Sequence, residues 1–174
     1  MAEVPAVARA VIHALELARE DLHAWCDTLS DEEMNARPAG IAPVAFHIRH
    51  IARSTDRLLT YAEGQTLTPD QLAAMKAELE PGARKQVLFA ELDTAFDAHV
   101  RRILALGSRN LEDSRTVGKK NLPATLGGLL VHVADHVQRH AGQAITTSKI
   151  VAGEGMRGVT GDEKPSAAAF RHQP

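Results

Sequence analysis

Nine of the 174 residues are histidine, about twice what a chain of this length ordinarily carries. Six of them could do chemistry together: His47, His50, His99, His132, His136 and His140. In the segment VHVADHVQRHAGQAI, three stand at i, i+4 and i+8. Residues four apart stack about 6 Å from each other on one helical face. Two imidazoles so placed can grip a single divalent ion. A pair alone holds an ion weakly, so a third ligand must come from another element. The segment FHIRHIARS offers His47 and His50, three residues apart. Three neutral nitrogen ligands leave a divalent ion its full charge and an open position, which is the basis of Lewis-acid chemistry. The competing reading is that these histidines are hydrogen-bonded packing residues of a helical core.

The elements that must position them are helices. Alanine and leucine dominate, and β-branched residues cluster into no strand-like run. A first helix is expected from Pro5 to Leu29, with Val11, Leu15, Ala18, Leu22, Trp25 and Leu29 along one seam and Cys26 and His23 flanking it. Ser30-Asp31-Glu32-Glu33 has the capping-box pattern of a short helical turn. A second helix is expected from Pro43 to Glu63, stopped by Gly64, and a third from Ala83 to Leu106, stopped by Gly107. The intervening connection of about 18 residues contains a small helix announced by Thr68-Pro69-Asp70-Gln71. Ser108 to Leu122 reads as a polar loop, and a fourth helix as Pro123 to Lys149. Beyond Val151 the chain is Gly-rich and polar, and it reads as an irregular tail.

Four long seams make an all-α four-helix bundle the expected fold. The long connection between the second and third helices suits a crossover, hence up-down-down-up order. The expected organisation is a bundle domain over residues 1–150 and a Gly-rich extension over 151–174. Setting the fourth seam's direction at 0°, His140 lies about 40° off it, His136 about 80° and His132 about 120°. His136 and His140 are therefore the candidate ligands of that helix, with His132 towards solvent. Periodicity slightly prefers His47 over His50 but does not settle the choice. His99 falls on the seam of the third helix, as a core or substrate-facing group.

Composition excludes several classes. Lys+Arg is 20 and Asp+Glu 22, so the basic excess typical of nucleic-acid binding is missing. No apolar run approaches the ~20 residues of a bilayer span. A single cysteine, Cys26, leaves no intramolecular disulfide and no Cys-rich zinc site. The cytoplasm is the expected compartment, with neither nucleic acid nor membrane as a partner.

GLLVHVADHVQRHAGQAITTSKI closely resembles the last helix of DinB-like (YfiT-like) proteins, whose His-x-x-x-His is commonly followed by Gly-Gln. Here those positions are His136, His140, Gly142 and Gln143. PVAFHIRHIARSTDRLLTYAEG resembles their second helix, where the histidine precedes an apolar residue and a short run of the type Ala-x-Ser. That pattern selects His50, followed by Ile51-Ala52-Arg53-Ser54. The resemblance covers about residues 5 to 150 and implies an up-down-down-up bundle. It also implies one divalent metal ion, zinc or nickel, on His50, His136 and His140, with His47, His132 and His99 as second choices or site-lining groups. Members of the wider superfamily include thiol S-transferases and thiol-dependent isomerases.

The resulting expectation is a metal-dependent enzyme that transfers a low-molecular-weight thiol to a small electrophilic substrate, or hydrolyses it. The alternative is a non-catalytic metal-binding or stress-associated bundle. His47, His99, Asp135 and Arg139 are candidate acids or bases by proximity in sequence only. A homodimer is the expected assembly.

Overall fold

The computed structural model describes residues 4–159. It is mostly helical, with six α-helices and one small hairpin among those residues. Helix α1 spans Ala6–Cys26 and buries Ala8, Val11, Leu15, Ala18, Leu22 and Cys26. The seam thus continues four residues beyond Leu22 to Cys26. Trp25, expected on it, is 46% exposed. Its ring instead lies under the Lys149 ammonium, 3.9 Å from the centroid, an arrangement that keeps the cation hydrated. The short helix α2, Asp31–Asn35, carries the expected capping box: Glu33 N–H donates to Ser30 Oγ, and Ser30 N–H donates to the Glu33 carboxylate.

Helix α3 spans Val44–Ala62 and stops before Gly64, which has φ +80°, a left-handed conformation that suits glycine. Helix α4, Pro69–Lys76, opens with the Thr68/Gln71 capping box. A 3₁₀ turn follows at Ala77–Leu79. Helix α5 spans Lys85–Gly107. Gly107 is its last residue, and the chain approaches α1 closely there. A Cβ at Gly107 would stand 2.5 Å from that of Ala8.

The expected polar loop is in fact a β-hairpin: β1 Ser114–Val117 pairs antiparallel with β2 Leu122–Thr125, in register Val117↔Leu122. Gly118 (φ 71°) and Asn121 (φ 47°) supply the left-handed residues of its turn. Pro123, expected to open the last helix, lies in β2 opposite Thr116. A two-stranded ribbon is all edge, so the missing N–H is tolerated. Helix α6 then runs Leu126–Val159. It continues past Lys149 and Val151, where an irregular tail was expected. Each helical glycine costs only about 1 kcal/mol, too little to halt a helix already nucleated and packed. The remainder of the expected extension, 160–174, lies outside the described residues.

Side-chain pairings fix the helix directions. Arg53 reaches Glu91 and Arg102 reaches Glu63, so α3 and α5 run parallel. His47 meets His140 and His50 meets His136, so α3 and α6 run antiparallel. Gln138 donates to Ala14 O and Ser148 to Trp25 O, so α1 and α6 run parallel. Arg19 pairs with Asp97, and Gly107 abuts Ala8, so α1 and α5 run antiparallel. Each of α1 and α3 packs on both α5 and α6. Leu15, Leu22, Ile48, Leu92, Phe96, Leu130 and Val137 fill the space between them. No helix among the described residues is long and apolar enough to cross a membrane.

Candidate metal centre

The antiparallel packing of α3 on α6 brings two histidine pairs face to face. His50 Nε2 stands 3.0 Å from His136 Nε2, and His47 Nδ1 stands 3.1 Å from His140 Nδ1. The rings of His50 and His140 lie 4.4 Å apart, and those of His136 and His140 4.6 Å. One ligand atom from each of His50, His136 and His140 lies within 4.8 Å of the others. These three histidines could therefore hold a metal ion.

The other candidates fall elsewhere. His47 is 6% exposed and backs the group through His140. His132 is exposed, with its ring 5.7 Å from that of His136 and outside the cluster. His99 lies on α5, beside Phe96. Asp135 and Arg139 pair with each other at the surface. Cys26 is buried in the core of α1, and desolvation pushes its thiol up to about 11 despite an opposing hydrogen bond with Ser148. It is no nucleophile at neutral pH.

One partner has no signal in the sequence. Glu78, in the 3₁₀ turn after α4, is 5% exposed. Its Oε2 lies 2.7 Å from His50 Nδ1, and its Oε1 accepts from Arg57 Nη1 at 2.6 Å. Burial alone would raise this carboxyl, but the hydrogen bonds from His50 and Arg57 outweigh it and hold the pKa below the ordinary value. An ionised Glu78 can only accept, so His50 Nδ1 carries the proton and its Nε2 lone pair points towards His136. Phe46 stacks on His50 at 5.1 Å and covers the ring face.

The donor set suits a borderline divalent ion. Burial, followed by repulsion from neighbouring rings, pushes His136 down to about 4. Burial, followed by repulsion from His50 and Arg139, does the same to His140. Both are neutral at pH 7, with lone pairs available. Two imidazole nitrogens on one zinc, each about 2.0–2.1 Å from it, stand roughly 3.4 Å apart. The 3.0 Å between His50 and His136 is close to that. All-nitrogen ligation fits zinc or nickel better than magnesium or calcium. A cavity of about 580 Å³ adjoins the cluster at His47, lined also by Ile41, Arg139, Gln143 and Thr147.

Comparison with known proteins agrees with this architecture. The family model described as the DinB superfamily matches residues 14–144, a span that includes all three clustered histidines. A conserved protein from Enterococcus faecalis, known from its crystal structure, superposes with a TM-score of 0.64 at 23% identity. The match covers 83% of this chain and 96% of that one, and it shows a shared fold. No curated protein matches the sequence.

Proposed function

Because this chain belongs to the DinB superfamily, we propose that His50, His136 and His140 bind one divalent ion, zinc or nickel, at the centre of an enzyme site. The reaction is transfer of a low-molecular-weight thiol to a small electrophilic substrate, or hydrolysis of that substrate. The observation that carries the reading is the convergence of three imidazoles from two helices, with Glu78 holding the proton on the outer nitrogen of His50. When bound, a divalent ion supplies Lewis acidity, making a coordinated water or thiol nucleophilic near neutral pH.

The chain's own residues do the rest. Glu78 fixes the tautomer and ring plane of His50. His47 meets Nδ1 of His140, a contact that leaves Nε2 free to face inward. Phe46 shields the histidines from water. Arg139 and Gln143 border the adjoining cavity, where an electrophile would lie. The same reading takes α1, α3, α5 and α6 as an up-down-down-up bundle, supported by the parallel and antiparallel pairings described above. It places the protein in the cytoplasm, and exposed Leu17, Trp25, Val131 and Ile150 along α1 and α6 support a homodimer.

The test is elemental analysis of natively purified protein, followed by assays of thiol transfer and hydrolysis. About one ion per chain is expected, falling several-fold in His140→Ala, with turnover lost alongside it. Equal metal content in the two proteins would sink the site. Full metal content without turnover across the thiol and ester panels would favour the non-catalytic bundle.

A further inference from the structure

A second cavity, of about 950 Å³, lies between α3 and α5 beneath α4. It is not lined by His50, His136 or His140. Its walls combine small or apolar side chains, among them Ala52, Ala95, Ala98 and Val87, with charged ones, among them Asp56, Glu91 and Arg102. Alanines on facing helices leave room where larger residues would close the gap. Two buried polar groups, Arg57 and His99, also line it. Arg57 has a side chain only 10% exposed, and its guanidinium donates one hydrogen bond, from Nη1 to Glu78 Oε1. His99 is 3% exposed, and its Nδ1 has no hydrogen-bond partner among the described residues.

A guanidinium carries five N–H donors, and an unsatisfied buried donor or acceptor costs about 1–3 kcal/mol. His99 Nδ1 carries that cost, whereas the unused donors of Arg57 remain accessible and so open to a ligand. Of the other cationic groups of the wall, Arg53 bonds Glu91 through two nitrogens and Arg102 bonds Glu63 and Asp56, while Arg84 is exposed and has no side-chain partner among the described residues. Among the buried cations of the wall, spare donor capacity thus lies at Arg57, with the exposed Arg84 at the rim. A planar fork of N–H groups matches a carboxylate, and the alanine-lined space matches an apolar body.

We propose that this cavity binds a small organic carboxylate with an apolar body, its head on Arg57 and His99 and its body along α5. The site does not depend on the histidine cluster being loaded. It nevertheless adjoins that cluster through Glu78, which holds Arg57 with one oxygen and His50 with the other.

The test is ligand-observed NMR and fluorescence titration of the full chain with 2-naphthoate, phenylacetate and octanoate, with 2-naphthamide as the uncharged control. Titrations are run on protein as purified, after chelator treatment, and on His140→Ala. The expected result is saturable carboxylate binding that survives chelation and His140→Ala, with the amide at least tenfold weaker. Arg57→Met should weaken binding at least tenfold. Because Arg57→Met strands the Glu78 carboxylate and can harm folding, Ala98→Leu is the companion variant. It should fold normally and abolish binding by filling the space. Carboxylate binding lost on chelation or in His140→Ala, but kept in Ala98→Leu, would assign it to the histidine cluster and overturn the proposal. So would equal affinity for amide and acid, or no saturable binding of any probe up to millimolar concentration. The metal reading fails separately, on the ion content of His140→Ala, so the two outcomes are distinguishable.

Discussion

Glu78 is the residue on which two neighbourhoods meet, and its two oxygens are used differently. One keeps a proton on His50; the other neutralises Arg57. Partners of this kind typically change metal affinity by 10–100-fold. Glu78→Gln should therefore weaken zinc binding by about that factor, measured by competition against a chromophoric chelator, while His50, His136 and His140 remain in place. Unchanged affinity would reduce Glu78 to a packing role. His99 makes a separate prediction in acid. Burial, opposed by Asp56 and reinforced by Arg102, pushes its pKa from 6.5 to about 4. The unfolded chain takes up a proton below pH 6.5 that the folded chain refuses until about pH 4. Its contribution to stability is therefore complete above pH 6.5 and is lost as pH falls towards 4, a change of up to about 3 kcal/mol. His99→Leu should lose less stability than the natural chain across that interval, as read from urea midpoints at each pH. Parallel pH profiles would refute it. His136 and His140 were legible, because spacing of four on a helix fixes which rings share a face. His50 was not legible from periodicity, which leaned to His47, and only the family resemblance selected it. Glu78 was not legible, because it lies 28 residues from His50, and periodicity carries information only within one element.

At the scale of elements, α1 and α5 approach each other closely at Ala8 and Gly107. Both partners at Ala8 and Gly107 are backbone-anchored, so an added methyl cannot swing aside. Gly107→Ala should destabilise the fold by about 1–3 kcal/mol. Ala8→Gly in the same chain should recover part of that loss, a coupling measurable by a double-mutant cycle in urea. Strict additivity would show that the helices are not in contact there. Gly107 was legible as the end of a helix, but its reason was not: the contact spans the sequence from residue 8 to 107. The hairpin was missed for a related reason. Ser114–Val117 is too short to show an alternating pattern, and Pro123 reads locally as a helix opener. Only the pairing of β1 with β2 turns those residues into strands. The shift from Trp25 to Cys26 has a similar origin, since a 4-3 seam allows either residue and packing chooses the smaller.

For the whole molecule, the histidine cluster joins α3 to α6 across 86 residues of chain. An ion bound there stabilises only the folded state, by RT ln(1 + [L]/Kd), about 2.7 kcal/mol at a hundredfold excess over Kd. Chelation should accordingly lower the melting temperature by several degrees, and zinc should restore it. The same shift should be missing in His136→Ala. The four long seams were legible as a helical fold because each spans many turns. What the sequence could not convey was how the crossover folds back, since α4 and the 3₁₀ turn are positioned by Arg49, Arg53 and Arg57 rather than by their own pattern. The hairpin turn carries exposed Lys119 and Lys120 at its tip, and it lies on the connection between α5 and α6, the helix that bears His136 and His140. Trypsin nicking at this turn would thus divide the cluster between two fragments, one holding α1 to α5 and the other α6. The nicked protein becomes a split receptor for its ion: the fragments should co-elute when zinc is present and separate on chelation in mild denaturant.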